Sequence, residues 1–442
     1  MSLQLGTIKT IVVSSPDMAR EVLQKHELTF HSRFSPVGAQ ALDHHKYSMV
    51  WVPLGAQWRK LRKISKEQMF SIQRLDGSQS LREEKLRALC DYVKKCSESG
   101  QAVEIGRLAF TISLNLLSNT LFSMDFAAFD SDSSQEIKEI VWGVMESVGK
   151  TDVGDYFPLL GRLDIQGSRR EVEFHFKKFL EIFDGIIRER LKSRGVSLSS
   201  SSTLVKKDLL EVLMDLNQSN ESDFSWDDIK HLFLDIFVGG TDTTSSTVEW
   251  AMALLLQNPE KMSKAKTEMK NIIGSKTEHI IQESDIPKLP YLQAIVKETL
   301  RLHPPLPFIL RQAPENNDTE IIGNFSVPKN AQLLVNLWAI GHDSSVWARP
   351  DSFEPERFLE DNPKDFKGRD FELLTFGTGR RICPGLPLAY RTVHMMLALL
   401  VHNFDWGLEK GMKPGEMDMT EKFGLSVQKA VHLMAVPIKS GL

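Results

Sequence analysis

The sequence predicts a mainly α-helical fold with a minor β part, and three observations carry that expectation. From about Gly55 to Leu302 the apolar residues recur mostly at helical spacing, so that one face of each segment can be buried. Beyond Pro304 the texture changes to proline-rich turns and short β-branched segments. Hydrophobic residues make up 41% of the 442 and charged residues 25%, which suits a large core and excludes disordered, collagen-like and disulfide-scaffold chains.

Along the chain, Ile8 to Val13 reads as a strand. Ser15-Pro16-Asp17, followed by Met18, Val22 and Leu23, reads as a capped helix start with proline in the first turn. Long helices are expected near 80–97, 104–123, 134–150, 170–194, 226–257 and 258–273, and a last one at about 386–402. Ser197-Leu198-Ser199-Ser200-Ser201-Ser202 reads as a surface loop, and 331–337 and 431–436 as short strands.

Lys and Arg number 54 against 58 Asp and Glu, and the net charge of −4 gives no reason to expect nucleic-acid binding. The 3 cysteines, Cys90, Cys96 and Cys383, form no C-x-x-C pair and suit free thiols in a reducing compartment. No run approaches the ~18 apolar residues of a spanning helix, and the first residues carry no signal-peptide pattern, so the chain as written reads as soluble or peripheral.

The chemistry concentrates in Phe376-Gly377-Thr378-Gly379-Arg380-Arg381-Ile382-Cys383-Pro384-Gly385, just before the last helix. Glycines permit the turns and close backbone approach of a cofactor-cradling loop. A helix N-terminus with Arg380 and Arg381 nearby favours a thiolate, which is either a nucleophile or a metal ligand. A lone buried cysteine is the bland alternative, since Cys behaves as a small hydrophobe. The complete loop, Phe-x-x-Gly-x-Arg-x-Cys-x-Gly, resembles the haem-binding loop of cytochrome P450 monooxygenases.

Three more segments fit that resemblance in order. Glu298 and Arg301 share a helix face at i,i+3 and, with Arg357 in Phe353-Glu354-Pro355-Glu356-Arg357-Phe358, resemble the family's structural Glu-Arg-Arg triad. Gly239-Gly240-Thr241-Asp242-Thr243-Thr244 resembles its oxygen-activation motif, in which Asp242 and Thr243 would relay protons. Two glycines inside a helix cost about 1 kcal/mol each against alanine, which a ligand crossing the helix would explain; the bland alternative is a kink from hydroxyl back-bonding. Trp58 and Arg62 resemble the family's Trp-x-x-x-Arg segment and, with Arg311 and Arg381, would reach haem propionates.

The resemblance covers essentially the whole chain and implies the cytochrome P450 fold, a helical bundle with a long central helix over haem and a small β-rich part, as a single catalytic domain over 1–442. Met1-Ser2-Leu3-Gln4-Leu5-Gly6 looks like that fold's first strand, and no anchor helix, hinge or first helix precedes Met1. The wording of 237–250 and 380–385 is similar to plant microsomal terpenoid hydroxylases of the geraniol 8-hydroxylase and ferruginol synthase kind, apart from Gly239, where alanine is usual. Cys383 would be the axial ligand of haem b iron, with Phe376, Gly379, Arg381 and Gly385 shaping the loop around it. One atom of O2 would enter a small hydrophobic substrate and the other leave as water.

By position Val50, Trp51, Asp235, Ile236, Phe308, Ile309 and Leu425 would line the substrate pocket. No flavin or nicotinamide fingerprint is present, so electrons would come from NADPH-cytochrome P450 reductase, which Arg59, Lys60, Lys63 and Lys66 would receive as a basic patch. The full-length form would sit on the cytosolic face of the endoplasmic reticulum membrane. Three alternatives stay open: a haem-thiolate isomerase or dehydratase needing no O2, a cysteine nucleophile with a histidine base, and a non-catalytic truncated relative.

Overall fold

The computed structural model describes residues 1–161, 163–196, 208–218, 224–274, 281–315, 319–361 and 363–439; the serine-rich stretch 197–202 lies outside them. Strands β1 (Ser2–Leu5) and β2 (Ile8–Val13) pair antiparallel around Gly6, whose φ of +58° suits a residue without a Cβ. β2 then runs parallel to β7 (Gln332–Asn336), which pairs antiparallel with β4 (Phe308–Gln312). The expected helix follows β2 as α1 (Pro16–Arg20), but Ser15 makes no side-chain cap bond; Pro16, with its φ already helical, starts the turn alone.

The seven long helices lie within two residues of their expected ends: α3 (Gln79–Ser99), α4 (Ile105–Phe122), α5 (Asp132–Gly149), α6 (Ser168–Val196), α8 (Trp226–Gln257), α9 (Pro259–Ile273) and α11 (Leu386–Asn403); the structure adds α2 (Ala56–Ile64), α7 (Leu209–Gln218) and α10 (Pro290–Leu302), for which the sequence set no bounds. The short elements β3 (Val103–Glu104), β8 (Phe404–Leu408) and β11 (Met434–Lys439) form a three-stranded sheet, while β5 (Thr319–Ile322) pairs with β6 (Phe325–Pro328) and β9 (Glu421–Phe423) with β10 (Val427–Lys429).

Helix α8 organises the interior. A capping box starts it: Ser225 Oγ accepts from Asp228 N–H at 3.0 Å and Asp228 Oδ2 accepts from Ser225 N–H at 2.8 Å. Asp228 also pairs with Lys60 at 3.3 Å, tying α2 to α8, so Lys60 is committed to an internal pair and leaves the basic patch to its exposed neighbours. The first third of α8, Ile229 to Phe237, belongs to one apolar cluster with α5 and α6, and the last third, Val248 to Leu256, to another with α4, α10 and α11. Between them Gly239, Gly240, Thr243, Thr244 and Thr247 face an internal cavity. Gly240 lets α4 approach, since a Cβ there would lie 2.8 Å from Leu117 Cδ1, whereas a Cβ on Gly239 would meet nothing within 4 Å.

These two glycines therefore predict opposite outcomes. Gly239→Ala should raise stability by about 1 kcal/mol through helix propensity while narrowing the cavity, and Gly240→Ala should lose that gain to displacement of Leu117. Thermal melts of both variants check this, and equal melting temperatures would contradict it.

Candidate active site

Cys383 sits in the turn before α11. The turn closes on its own backbone: Cys383 N–H donates to Phe376 O at 2.9 Å and Gly377 N–H to Leu374 O at 2.7 Å. Gly377 and Gly379 take φ of +69° and +65°, the conformations glycine was expected to supply. Gly385 does not take one: its φ is −80°, and an added Cβ would make ordinary contacts at 3.8 Å to Cys383 Sγ and 3.9 Å to Phe70.

Burial pushes the Cys383 thiol up, against the N–H groups of Gly385 and Leu386 at the start of α11 and the positive charges of Arg62 and Arg33. The sequence expected Arg380 in that role. Instead Arg380 lies at the surface, its N–H donating to Glu27 Oε1 at 2.6 Å and its half-exposed guanidinium 3.7 Å from Glu27 Oε2. Arg381 points the other way, into the cavity.

Four guanidinium groups, from Arg33, Arg62, Arg311 and Arg381, line the same cavity, and none of them makes a salt bridge among the described residues. Arg33 donates to Val50 O at 3.1 Å, Arg311 to Leu310 O at 2.9 Å and Arg381 to Val52 O at 2.6 Å, while the Nε of Arg33 and of Arg381 have no partner. Burial lowers Arg33 to about 10 and Arg381 to about 9, and takes Arg311 well below its ordinary value. Buried cations without counter-ions are costly, so this cluster suits a ligand that brings carboxylates.

Arg33 was not among the sequence candidates. It stands alone between Ser32 and Phe34 with no spacing signal, and reaches the cluster because Ser32 bridges to Gln312, next to Arg311, across a single β-bridge.

The cavity has a volume of about 380 Å³, and all of the expected wall residues line it: Val50, Trp51, Asp235, Ile236, Phe308, Ile309 and Leu425. Trp58, Arg62 and Phe376 line it too, with Ser113, Leu116 and Leu117 of α4 and Val144, Met145 and Val148 of α5, which helical periodicity alone assigned to core. Asp235 is more fastener than wall: it accepts from Ser48 Oγ at 2.6 Å and Met49 N–H at 2.7 Å, and His44 Nε2 lies 3.3 Å away. His44 Nδ1 in turn lies 2.8 Å from His231 Nδ1, and burial lowers His231 to about 4, so His231 is neutral at pH 7 and the contact holds segment 38–52 against α8.

Thr243 faces the cavity with its hydroxyl bonded back to Gly239 O at 2.7 Å, so hydroxyl back-bonding and a cavity-lining position coexist in one residue. Asp242 does not line the cavity. One residue along a helix turns the side chain by about 100°, and its carboxylate instead accepts from Ser426 Oγ at 2.5 Å and from Gln428 Nε2, with burial raising it to about 6.

The expected triad forms in full. Arg301 Nε and Nη2 donate to Glu298 Oε2 and Oε1 at 2.7 and 2.8 Å, and Arg357 Nε donates to Glu298 Oε1 at 3.1 Å. Arg301 spends its other N–H groups on the carbonyls of Gly341, Pro350 and Ser352 at 2.5, 2.6 and 3.2 Å. Glu298 and Arg301 are fully buried, and on the same helix Leu300 O accepts from Thr375 Oγ1 at 3.3 Å, next to the cysteine loop.

A thiol facing a mainly apolar cavity of this size and four guanidinium groups without salt bridges fit haem b, whose iron takes a thiolate and whose two propionates take arginine. The fold and site thus define a haem-thiolate oxygenase class. Comparison with known proteins gives the family: the cytochrome P450 family model matches residues 1–434, and the chain belongs to that family. It is 56% identical to Cytochrome P450 76T24 of Catharanthus roseus over 99% of this chain and 86% of that protein. It is 48% identical to Geraniol 8-hydroxylase of Swertia mussotii and 47% to Ferruginol synthase of Salvia miltiorrhiza, each over 99% of this chain and 86% and 87% of theirs. A zebra fish cytochrome P450 solved with progesterone superposes with a TM-score of 0.80 at 23% identity, covering 99% of this chain and 96% of its own. The protein is a P450 monooxygenase with haem b as cofactor.

Proposed function

We propose that residues 1–442 act as one catalytic domain that hydroxylates a small terpenoid, with Cys383 as the axial haem ligand and electrons from NADPH-cytochrome P450 reductase. The observation that carries this reading is one cavity joining Cys383, the four arginines and Thr243 to mainly apolar walls. Haem, when bound, supplies oxygen activation and oxidation of the substrate C–H bond. The chain's own residues do the rest. Arg33, Arg62, Arg311 and Arg381 hold the propionates, Trp58 packs on the rim beneath Arg381 at 5.7 Å, and Phe308, Ile309, Ile236 and Leu425 exclude water and orient the substrate. Thr243 hands on a proton from its hydroxyl, while the Asp242 carboxylate, turned toward Ser426 and Gln428, would have to leave those partners to act as the acid behind it.

Arg59, Lys63 and Lys66 are exposed along α2 and the turn after it, a basic strip suited to an acidic redox partner. An apolar surface within 157–161 and 163–174 supports attachment to the endoplasmic reticulum membrane: Leu159 is 92% exposed, and Phe157, Leu163, Ile165 and Phe174 are exposed beside Arg169, Arg170 and Lys178. No helix among the described residues is long and apolar enough to cross a membrane.

The test is turnover with a plant reductase and NADPH on geraniol and larger apolar terpenoids under isotope-labelled O2. A product carrying one labelled oxygen supports the reading. Electron transfer without oxidation of any terpenoid would reject the substrate class. The propionate set has its own test: Arg33→Ala should lose haem to apomyoglobin roughly tenfold faster, the worth of one charge-assisted hydrogen bond. An unchanged transfer rate would remove Arg33 from the set.

A further inference from the structure

Proton delivery does not require the contact that Asp242 makes. Its carboxylate faces away from the cavity and accepts from Ser426 Oγ and Gln428 Nε2, while Ser246, one turn along α8, donates from Oγ to Val427 O at 3.0 Å. Three consecutive residues of the β9–β10 hairpin are thereby bonded to α8. The opposite side is equally fixed: Leu425 N–H donates to Met145 O at 2.7 Å, and Val427 N–H to Pro305 O at 2.8 Å. The hairpin tip lies so close to α5 that a Cβ on Gly149 would collide with Leu425 N. Leu425 at that tip lines the cavity, whereas Asp242, Ser426 and Gln428 do not.

We propose that Asp242 anchors the hairpin that builds one substrate wall, with Ser426 and Gln428 as positioning residues that act on the substrate through Leu425. This rests on the reading of Leu425 as a substrate contact. The chemistry of the anchor separates it from proton donation. An asparagine at 242 keeps both contacts, its carbonyl accepting from Gln428 and its amide donating to the Ser426 hydroxyl, but it has no acidic proton. An alanine leaves a buried hydroxyl and a buried amide without partners.

The experiment titrates holoenzyme with phenylimidazole and the bulkier biphenylimidazole, whose ring nitrogen ligates the iron while the aryl group presses on the cavity walls. The Soret shift reads affinity without turnover. Asp242→Ala and the double variant Ser426→Ala/Gln428→Leu should each bind biphenylimidazole about tenfold more weakly, the scale of a lost buried hydrogen-bond partner, while Asp242→Asn stays within about twofold of the parent. Should Asp242→Ala fail to hold haem, the single variants Ser426→Ala and Gln428→Leu carry the same expectation.

Unchanged affinity in the Ser426 and Gln428 variants overturns the proposal, as does an Asp242→Asn protein that binds as weakly as Asp242→Ala. Turnover of Asp242→Asn reports separately. Loss of product with binding intact leaves the anchor standing beside the proton-delivery reading, and full product formation leaves the anchor standing and removes proton delivery.

Discussion

Arg301→Ala is expected to yield protein without haem and with little residual stability. The Arg301 guanidinium is inaccessible to solvent and donates to both oxygens of Glu298 and to three backbone carbonyls that no other side chain among the described residues satisfies. Its removal leaves the fully buried Glu298 carboxylate with only Arg357 Nε and the Glu354 N–H, at 3.1 and 2.9 Å and both on Oε1, so Oε2 loses its partner. Breaking a buried pair from one side costs about 3–5 kcal/mol, a large share of a typical folding free energy. Haem is lost in the same event because the backbone carbonyl of Leu300, the residue before Arg301 in the same helix, holds Thr375 at the base of the cysteine loop. Glu298→Gln should be milder, keeping one acceptor for Arg301. Haem content and a thermal melt check both variants, and a haem-replete Arg301→Ala protein would show that the triad is dispensable.

Thr243→Ala is expected to consume NADPH at close to the parent rate and to form about one hundredth of the product, the lower end of what a positioned proton donor contributes. The variant should fold. The Thr243 hydroxyl bonds back to Gly239 O within its own helix, and alanine is the better helix former. Electrons would leave as hydrogen peroxide, so peroxide released per NADPH consumed is the measurement. Thr243→Ser, which keeps a hydroxyl at the same point, should restore most of the product. Equal coupling in the alanine and parent proteins would remove Thr243 from proton delivery.

The helices were legible because their signals are local. The apolar period of α8, its Trp226 start after Ser225, and Pro259 at the start of α9 can each be read within a few residues. The triad was legible for the same reason in part: Glu298 and Arg301 lie one turn apart, and only Arg357 had to come from elsewhere.

What the sequence hid was pairing between distant segments. Nothing near Val13 announces its parallel partner Val335, and nothing near Arg33 announces Arg311. The orientation of Asp242 was hidden as well. Its neighbours Thr241 and Thr243 point to core and cavity respectively, and which way the carboxylate turns depends on Ser426 and Gln428, far along the chain. Arg380 and Arg381 show the same limit at shorter range. The sequence placed both beside the thiol, and the turn sends one to Glu27 at the surface and the other to the carbonyls of Val50 and Val52.

The central claim is that Cys383 holds the haem iron as a thiolate. The carbon monoxide difference spectrum of the dithionite-reduced protein tests it most directly, in the parent and in Cys383→Ser. The account predicts a strongly red-shifted Soret band in the parent, the signature of a thiolate opposite carbon monoxide, and its loss in the serine variant. An unshifted band in a folded, haem-replete parent protein, or a red-shifted band that survives Cys383→Ser, would contradict it.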